Sequence, residues 1–250
     1  MTSDTTHTDP AAAKTAQTEE LRALITGARH ILFDFDGPIC RLFAGYSAVE
    51  VARELVKWLT RQGLLRLLTE EETGHPDPQA VLLAVHQRHE GSDLVAELEE
   101  LLTQQELRAV PSARPTAYAD PLIRTWTALG ARLAVTTNNS ARTVAEYLGG
   151  RGLADCFAPH IYGRTRELHQ QKPDPYHLNR ALRAMGAATD TALMIGDTPS
   201  DLRAAEQAGV RFLGFAGDER KEKLLRDAGA EVTVRSLDAV LRVLRERAPH

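Results

Sequence analysis

The feature that most constrains the fold of this chain is an apolar run closed by two acids and a turn, ILFDFDGP at residues 31–38. A short apolar run that ends at Gly-Pro is typical of a buried strand that stops abruptly. Side chains alternate along a strand, so Asp34 and Asp36 begin on the same side of it. In an open α/β sheet, ligands bind in the crevice beyond the carboxyl ends of the strands, which is where these acids lie.

Two carboxylates in one crevice repel each other unless a cation joins them or one of them keeps its proton. Asp34 and Asp36 therefore indicate either a Mg²⁺ site or a nucleophile beside a proton donor. A strand end with two solvated acids is the third interpretation. Short motifs of this kind also occur by chance, so this stretch alone leaves all three interpretations open.

From residue 121 onward, short apolar runs alternate with helical segments. The expected strands are 132–137, 160–162, 192–195, 210–215 and 231–234, and the expected helices include 121–129, 141–148, 173–185, 202–208 and 236–247. A further helix is expected between the last two strands. Strands that alternate with helices predict an α/β fold with a doubly wound parallel sheet.

Residues 42–110, which we call the helical insertion, differ from the rest of the chain. Their apolar residues recur with the 3.6-residue period of a helix, and no strand-like run interrupts them. Asp77 is expected to cap a helix that begins with proline. We interpret the insertion as a helical cap domain within an α/β domain made of residues 18–41 and 111–250. Clustered prolines at 111–115 predict a hinge or linker where the insertion ends.

The N-terminal residues 1–17 are rich in Thr, Ala and Asp, without the basic start and apolar centre of a signal peptide. We predict a disordered tail over 1–17, followed by a helix over 18–28 with Thr18 as its N-cap. No apolar run approaches the length needed to cross a membrane, so no membrane partner is expected.

Charge and cysteine content narrow the class of partner. The formal net charge of -4 gives no reason to expect a nucleic-acid partner. The two cysteines, Cys40 and Cys156, lack metal-binding spacing, and they predict a reducing, cytoplasmic location. Cys40 is expected to be a small buried residue rather than a catalytic thiol. The oligomeric state is not predicted.

Polar residues follow several of these segments, and the strand ends should converge on one edge of the sheet. They are Asp34, Asp36, Thr137, Asn138, Lys172, Asp197 and Asp201. A carboxylate can attack phosphorus, and a second acid can protonate the leaving oxygen. A divalent cation, a hydroxyl, an amide and an ammonium can bind phosphate oxygens. Taken singly, each of these residues also fits an ordinary turn, cap or helix start.

Together these residues resemble the four motifs of the haloacid dehalogenase superfamily, and they occur in the same order. The motifs are DFDG at 34–37, Thr137-Asn138 after an apolar strand, KPDP at 172–175 and GDTPSD at 196–201. The helical insertion is similar to the cap of the phosphoglycolate phosphatase-like branch. The resemblance covers roughly residues 29–245 and implies a doubly wound, Rossmann-like α/β core with an inserted α-helical cap.

The resemblance also implies a function: Mg²⁺-dependent hydrolysis of a small phosphorylated metabolite through an aspartyl-phosphate intermediate. Asp34 would be the nucleophile, and Asp36 would be the general acid and base. The metal ligands would be Asp34, Asp197 and the backbone carbonyl of Asp36, with Asp201 supporting the metal site. The phosphoryl group would be held by Gly37, Thr137, Lys172 and the backbone of Asn138.

The sequence leaves open the roles of Arg41, His86 and His89, which lie near or within the insertion. Arg41 departs from the family pattern, because many members have an acid near this position. It can pair with a second anionic group of the substrate, or it can be an ordinary surface residue. His86 and His89 fit a surface position, a substrate contact or a metal site.

Two alternative functions remain. A phosphomutase would return the phosphoryl group to a sugar. Relatives of that kind place a histidine early in the cap, near the position of Tyr46. Tyr46 does not repeat this histidine, which disfavours the phosphomutase. A non-catalytic binding or regulatory protein on the same scaffold would be expected to lack the nucleophile or a metal ligand, and both are present here. Cleavage of carbon–halogen bonds is disfavoured because members with that activity lack the acid found at Asp36.

Overall fold

The computed structural model describes the backbone of residues 10–246 and the side chains of residues 18–246. The strands are β1 (His30–Phe33), β2 (Cys40–Arg41), β3 (Arg114–Pro115), β4 (Arg132–Ser140), β5 (Ile161–Arg164), β6 (Ala192–Gly196), β7 (Arg211–Phe215) and β8 (Thr233–Val234). Six of them form one sheet in the order β5-β4-β1-β6-β7-β8, with every neighbouring pair parallel. Strands β2 and β3 form a separate antiparallel pair.

Helices cover both faces of the six-stranded sheet. The helices are α1 (Pro10–Gly27), α2 (Ala48–Arg61), α3 (Glu70–Thr73), α4 (Pro78–Arg88), α5 (Asp93–Ala109), α6 (Ala119–Ala128), α7 (Ala141–Gly150), α8 (Ala154–Phe157), α9 (Tyr176–Met185), α10 (Pro199–Ala208), α11 (Glu219–Asp227) and α12 (Leu237–Arg245). Helices α1, α6, α7 and α12 pack on one face, and α9 and α10 pack on the other. This arrangement confirms the predicted doubly wound α/β fold.

Strand β1 is paired on both sides, with β4 and β6, and its apolar side chains are buried on both faces of the sheet. Phe33 packs edge-to-face against Trp126 and Phe157, with ring centroids 5.8 and 6.0 Å apart. Leu32 joins the hydrophobic cluster on the opposite face. Asp34, the next residue after β1, is therefore held near the middle of the carboxyl edge of the sheet.

The helical insertion packs around one hydrophobic cluster, which Leu168 of the α/β part also joins. Helices α2, α4 and α5 supply most of that cluster, with Leu55, Leu82 and Leu98 fully buried. The Asp77 side chain accepts a hydrogen bond from the Gln79 N–H at 2.9 Å, so the predicted cap of α4 is confirmed. Strands β2 and β3 bring the two ends of the insertion side by side.

The N-terminal helix differs from the prediction. Helix α1 begins at Pro10, so Thr18 lies inside the helix and its prediction as the N-cap was wrong. Residues 10–17, which we assigned to the tail, are helical, while residues 1–9 lie outside the described part of the chain. The reason is local, because a proline at the first position followed by alanines favours a helix start there.

Helix α9 also starts later than predicted, at Tyr176 instead of Pro173. The Asp174 N–H donates to the Gln171 carbonyl at 2.9 Å, and the Asp174 side chain accepts from the Tyr176 N–H at 2.8 Å. These bonds form a turn ahead of the helix.

In the part of the chain that the structure describes, no helix is long and apolar enough to cross a membrane.

Candidate active site

Lys172 joins three parts of the core at the carboxyl edge of the sheet. Its Nζ lies 2.7 Å from Asp34 Oδ1 and 2.5 Å from Asp201 Oδ1, and it donates to the Thr136 carbonyl at 3.0 Å. Both Lys172 and Asp34 are buried. The ammonium therefore fixes the Asp34 carboxylate against the ends of β4 and α10.

The pKa values of Asp34 and Lys172 are shifted because both charges are held away from water. Burial raises the pKa of Asp34, and the nearby Asp201 carboxylate adds to the rise, while Lys172 opposes it. Burial lowers the pKa of Lys172, but the carboxylates of Asp201 and Asp34 more than offset this, so its pKa lies above the ordinary value. Lys172 is therefore a permanent cation beside an acid whose negative charge is costly.

Asp197 and Asp201 lie on the turn between β6 and α10, and they have different surroundings. Asp201 Oδ2 accepts from the N–H groups of Asp197 and Thr198 at 3.1 and 3.0 Å, and from the Thr198 hydroxyl at 2.7 Å. With its other oxygen on Lys172, Asp201 has donors on both oxygens. Asp197 Oδ1, by contrast, is buried and has no hydrogen-bond partner among the described residues.

These carboxylates can hold a cation. Oxygen atoms of Asp34, Asp197 and Asp201 all lie within 4.8 Å of one another. Burial raises the pKa of Asp197 to about 7, and the negative charges of Asp34 and Asp201 contribute to the rise. A divalent cation bound to the unpartnered oxygen of Asp197 would relieve this repulsion. The donor set therefore fits a hard, oxygen-preferring cation.

Gly37 is required by the shape of this site. It has φ +130°, and a Cβ atom at this position would overlap the carboxylate of Asp197. The Gly37 carbonyl accepts a hydrogen bond from the Thr116 hydroxyl, which ties the turn to the segment after β3. The turn after β1 can therefore approach Asp197 only because residue 37 lacks a side chain.

We expect Gly37→Ala to destabilise the fold by about 1–3 kcal/mol, because it combines a strained backbone with a clash against Asp197. Gly217→Ala is the matched control, since a Cβ there meets no atom within 4 Å. The control should change stability by about 0.5 kcal/mol or less. Urea unfolding of the two variants measures the difference, and equal stabilities would contradict the tight packing described here.

Asn138 connects the end of β4 to the lysine segment. Its Oδ1 accepts from the Lys172 N–H at 2.9 Å, and its Nδ2 donates to the Lys172 carbonyl at 3.1 Å. The neighbouring Thr137 hydroxyl donates to Asn139 Oδ1 and accepts from the Asn139 N–H, both at 3.2 Å. These bonds hold the last residues of β4 in place beside Asp34.

Asp36 is the second acid of the first motif. Its Oδ1 accepts a hydrogen bond from the Leu42 N–H at 2.8 Å. Burial raises its pKa to about 6, although this hydrogen bond lowers it. A carboxyl group with a pKa near neutrality can both give and take a proton, which is the property a general acid and base needs.

A buried ion pair links the helical insertion to the end of β4, and the sequence analysis missed it. Arg164 on β5 donates to Glu106 on α5 at 2.7 Å, to Glu99 at 2.9 Å and to the Asn138 carbonyl at 3.1 Å. The side chains of Arg164 and Glu106 are both fully buried. Glu106 also accepts from the Ser140 N–H at 2.9 Å. No sequence motif signals this pair, because its members are 58 residues apart.

Lys221 is a second residue that the sequence analysis did not assign to the site. It lies on α11, whose N-cap Asp218 accepts from the Lys221 N–H at 2.8 Å. Its ammonium bonds Asp197 Oδ2, the oxygen opposite the unpartnered one. The only signal was its residue type in a chain that otherwise uses mainly arginine, since lysine occurs here at positions 14, 57, 172, 221 and 223.

Most of the expected site residues surround one cavity of about 590 Å³ between the sheet edge and the helical insertion. Those that line it are Asp34, Asp36, Thr137, Asn138, Lys172 and Asp201. Gly37 and the exposed Arg41 instead line a neighbouring cavity of about 430 Å³, together with Lys221. His86 and His89 are not among the lining residues of either cavity.

Comparison with known proteins identifies the family of this arrangement. A model of the haloacid dehalogenase-like hydrolases matches residues 28–209. The chain is 31% identical to a phosphoglycolate phosphatase of Thiobacillus denitrificans over 186 residues, which are 73% of this chain and 71% of that protein. A phosphoglycolate phosphatase of Rhodospirillum rubrum is 41% identical over 99 residues, a match that spans only 39% of its length.

Solved structures agree on the fold. A haloacid dehalogenase-like family protein from Streptococcus pneumoniae superposes with a TM-score of 0.60 at 17% identity. The superposition covers 89% of this chain and 100% of the other. At this level of identity the similarity establishes the fold alone.

Proposed function

This chain belongs to the haloacid dehalogenase-like hydrolase family, and on that premise we propose that it is a Mg²⁺-dependent phosphatase acting on a small phosphorylated metabolite. The observation that carries the proposal is the Asp34–Lys172 pair, with Nζ and Oδ1 2.7 Å apart, in a cavity that Asp36 also lines. A buried carboxylate held in place by a permanent cation is suited to attack phosphorus. The relatives named phosphoglycolate phosphatase support the same class of reaction.

The proposed reaction has two steps. An oxygen of Asp34 forms a bond to phosphorus while the bond to the alcohol oxygen breaks, and Asp36 gives that oxygen its proton. A water molecule then attacks the phosphorus of the aspartyl-phosphate and passes a proton to Asp36, which releases inorganic phosphate and restores Asp34. The pKa of about 6 for Asp36 fits both directions of proton transfer.

The other site residues would bind and orient the phosphoryl group. Lys172 would contact a phosphoryl oxygen as well as Asp34, and the Thr137 hydroxyl and the Asn138 N–H would bind further oxygens. Mg²⁺ would be held by Asp34, Asp197 and the backbone carbonyl of Asp36, and it would neutralise negative charge on the phosphoryl oxygens. Asp201 would support the site by holding Lys172 and the backbone of Asp197 in position.

The helical insertion would act as a cap over this site, and we retain its division from the core at residues 42 and 110 as a proposal. Its hydrophobic cluster, which lies almost wholly within the insertion, and the β2–β3 pair at its base suit a unit that moves about two short connections. Closure would exclude water while the aspartyl-phosphate forms.

The two free cysteines, Cys40 and Cys156, fit the cytoplasmic location expected from the sequence, which stays a prediction.

The test is phosphate release from a panel of small phosphomonoesters, with Mg²⁺ and with a chelator in its place. We expect release only with the metal. Thermal unfolding in the same buffers gives a second readout, because a cation bound to Asp197 stabilises the native state. Equal release in both buffers would contradict the metal dependence, and isomerisation of a sugar phosphate without net phosphate release would favour a mutase over a hydrolase.

A further inference from the structure

The charges around the cavity of about 590 Å³ are strongly unequal. Among the described residues, its lining contains the acids Asp34, Asp36, Asp77, Glu106 and Asp201, but only one cation, Lys172. Mg²⁺ and the phosphoryl group would occupy the Asp34 end, where Asp34 and Asp201 are paired with Lys172 and Asp36 meets the alcohol part only at the oxygen that it protonates. The charge that the alcohol part meets is therefore set by the side chains at the other end of the cavity.

Two cations in or beside the cavity, Lys172 and Arg164, are already paired with acids. Lys172 lies between Asp34 and Asp201, and the Arg164 guanidinium is buried against Glu106 and Glu99. Neither can turn towards the alcohol part without leaving a buried carboxylate unpaired, which is costly. Arg41, the sequence candidate for binding a second anionic group, lines the neighbouring cavity instead.

The wall contributed by the helical insertion is mostly apolar. Apolar residues such as Phe43, Val49 and Leu83 line it, and none of its described lining residues is a cation. Its two acids are Glu106, which is fully buried and paired with Arg164, and Asp77, whose carboxylate is exposed. A carboxylate on the alcohol part of a substrate would face this charge without a counterion.

The N-terminus of α4 does not reverse this charge. An uncapped helix N-terminus attracts anions through its free N–H groups and its dipole. Here the Asp77 carboxylate already accepts a hydrogen bond from the Gln79 N–H at 2.9 Å. Its full negative charge therefore outweighs the partial positive charge of the helix N-terminus. The net field on this wall therefore favours neutral or positive groups.

From this distribution we infer that the substrate is a phosphomonoester whose alcohol part is neutral or carries an ammonium group, and that substrates with a carboxylate there are disfavoured. The inference rests on the phosphatase function proposed above. It departs from the substrate that the names of the relatives suggest, since phosphoglycolate carries a carboxylate on its alcohol part.

The test compares three phosphomonoesters of nearly equal size: 2-aminoethyl phosphate, 2-hydroxyethyl phosphate and 2-phosphoglycolate. We expect kcat/KM to be highest for the first two and about 10-fold lower for 2-phosphoglycolate, because its carboxylate would meet the like charge of Asp77 without a counterion. The difference should shrink as salt is added. An equal or higher kcat/KM for 2-phosphoglycolate would overturn the inference.

Variants at Asp77 test the assigned residue. Asp77→Asn keeps a good N-cap but removes the charge, and Asp77→Ser does the same with a different side chain. Either should lower the aminoethyl-to-glycolate ratio of kcat/KM by about 3- to 10-fold, a modest change because the carboxylate is exposed. Glu71→Gln is the matched control, since Glu71 is an exposed acid of the same insertion that does not line the cavity.

The outcomes separate the two proposals. An unchanged ratio in both Asp77 variants, or the same change in Glu71→Gln, would overturn the role of Asp77. Failure of the wild-type protein to hydrolyse any of these compounds or 4-nitrophenyl phosphate, with Mg²⁺ present, would instead contradict the phosphatase function itself. Hydrolysis with the expected order of substrates supports both.

Discussion

Replacing Asp34 by Asn is expected to lower kcat by about a thousandfold or more while the protein stays folded. The amide is a poor nucleophile, so the aspartyl-phosphate cannot form. The fold should tolerate the change, because Lys172 keeps its bonds to Asp201 and the Thr136 carbonyl. Steady-state phosphate release and thermal unfolding measure the two effects.

The thermal stability of Asp34→Asn tests the cost of the buried Asp34 charge separately from catalysis. Burial raises the pKa of Asp34, which means that its negative charge is unfavourable without a cation. Without Mg²⁺ the variant should therefore unfold within a few degrees of the wild type, while the stabilisation by Mg²⁺ should be much reduced. Asp155→Asn, an exposed position on α8, is the control for the same chemical change. Wild-type activity in Asp34→Asn would exclude this residue as the nucleophile.

Replacing Arg164 by Met is expected to cause the largest loss of stability, about 3–5 kcal/mol, because it leaves Glu106 as a buried charge without its cation. For a chain of this size that corresponds to a fall in Tm of about 10 °C. Asn138 in β4 also loses the hydrogen bond that Arg164 donates to its carbonyl at 3.1 Å. Thermal unfolding and urea unfolding measure the effect.

Arg142→Met provides a matched control for this prediction. Arg142 also bonds an acid of α5, at 2.8 Å from Glu100, but both side chains are more than half exposed. Its loss should cost about 1 kcal/mol or less. The double variant Glu106→Gln/Arg164→Met should recover part of the stability lost in the single variant, since the unpaired charge is gone. Equal losses for Arg142→Met and Arg164→Met would contradict the importance of burial.

Asp34, Asp36 and Asp197 could be placed at the carboxyl edge of the sheet from the sequence because each closely follows an apolar run. The apolar run before Asp34 and the run before Asp197 predict strands, and parallel strands place their ends at one edge. Lys172 was predicted from its motif rather than from a strand, although the start of the following helix was misplaced. The helical insertion was predictable for a similar reason, since the period of its apolar residues is long and uninterrupted.

The contacts between distant segments could not be predicted in this way. Glu106 and Arg164 pair across the insertion and the core, and Lys221 reaches Asp197 from a helix with no motif of its own. Such pairs depend on how two elements are oriented, which local spacing does not specify. Arg41 shows the same limit. Its position shortly after the first motif did not indicate which of the two cavities it would line.

We propose that Asp34 carries the phosphoryl group during turnover, and a rapid acid quench tests this role most directly. Wild-type protein with Mg²⁺ is mixed with a phosphomonoester labelled at phosphorus and quenched within the first turnover. We expect label on the peptide that contains Asp34, removable by hydroxylamine as for an acyl phosphate, and no label in Asp34→Asn. Turnover without label on that peptide, or label that persists in the variant, would contradict the claim.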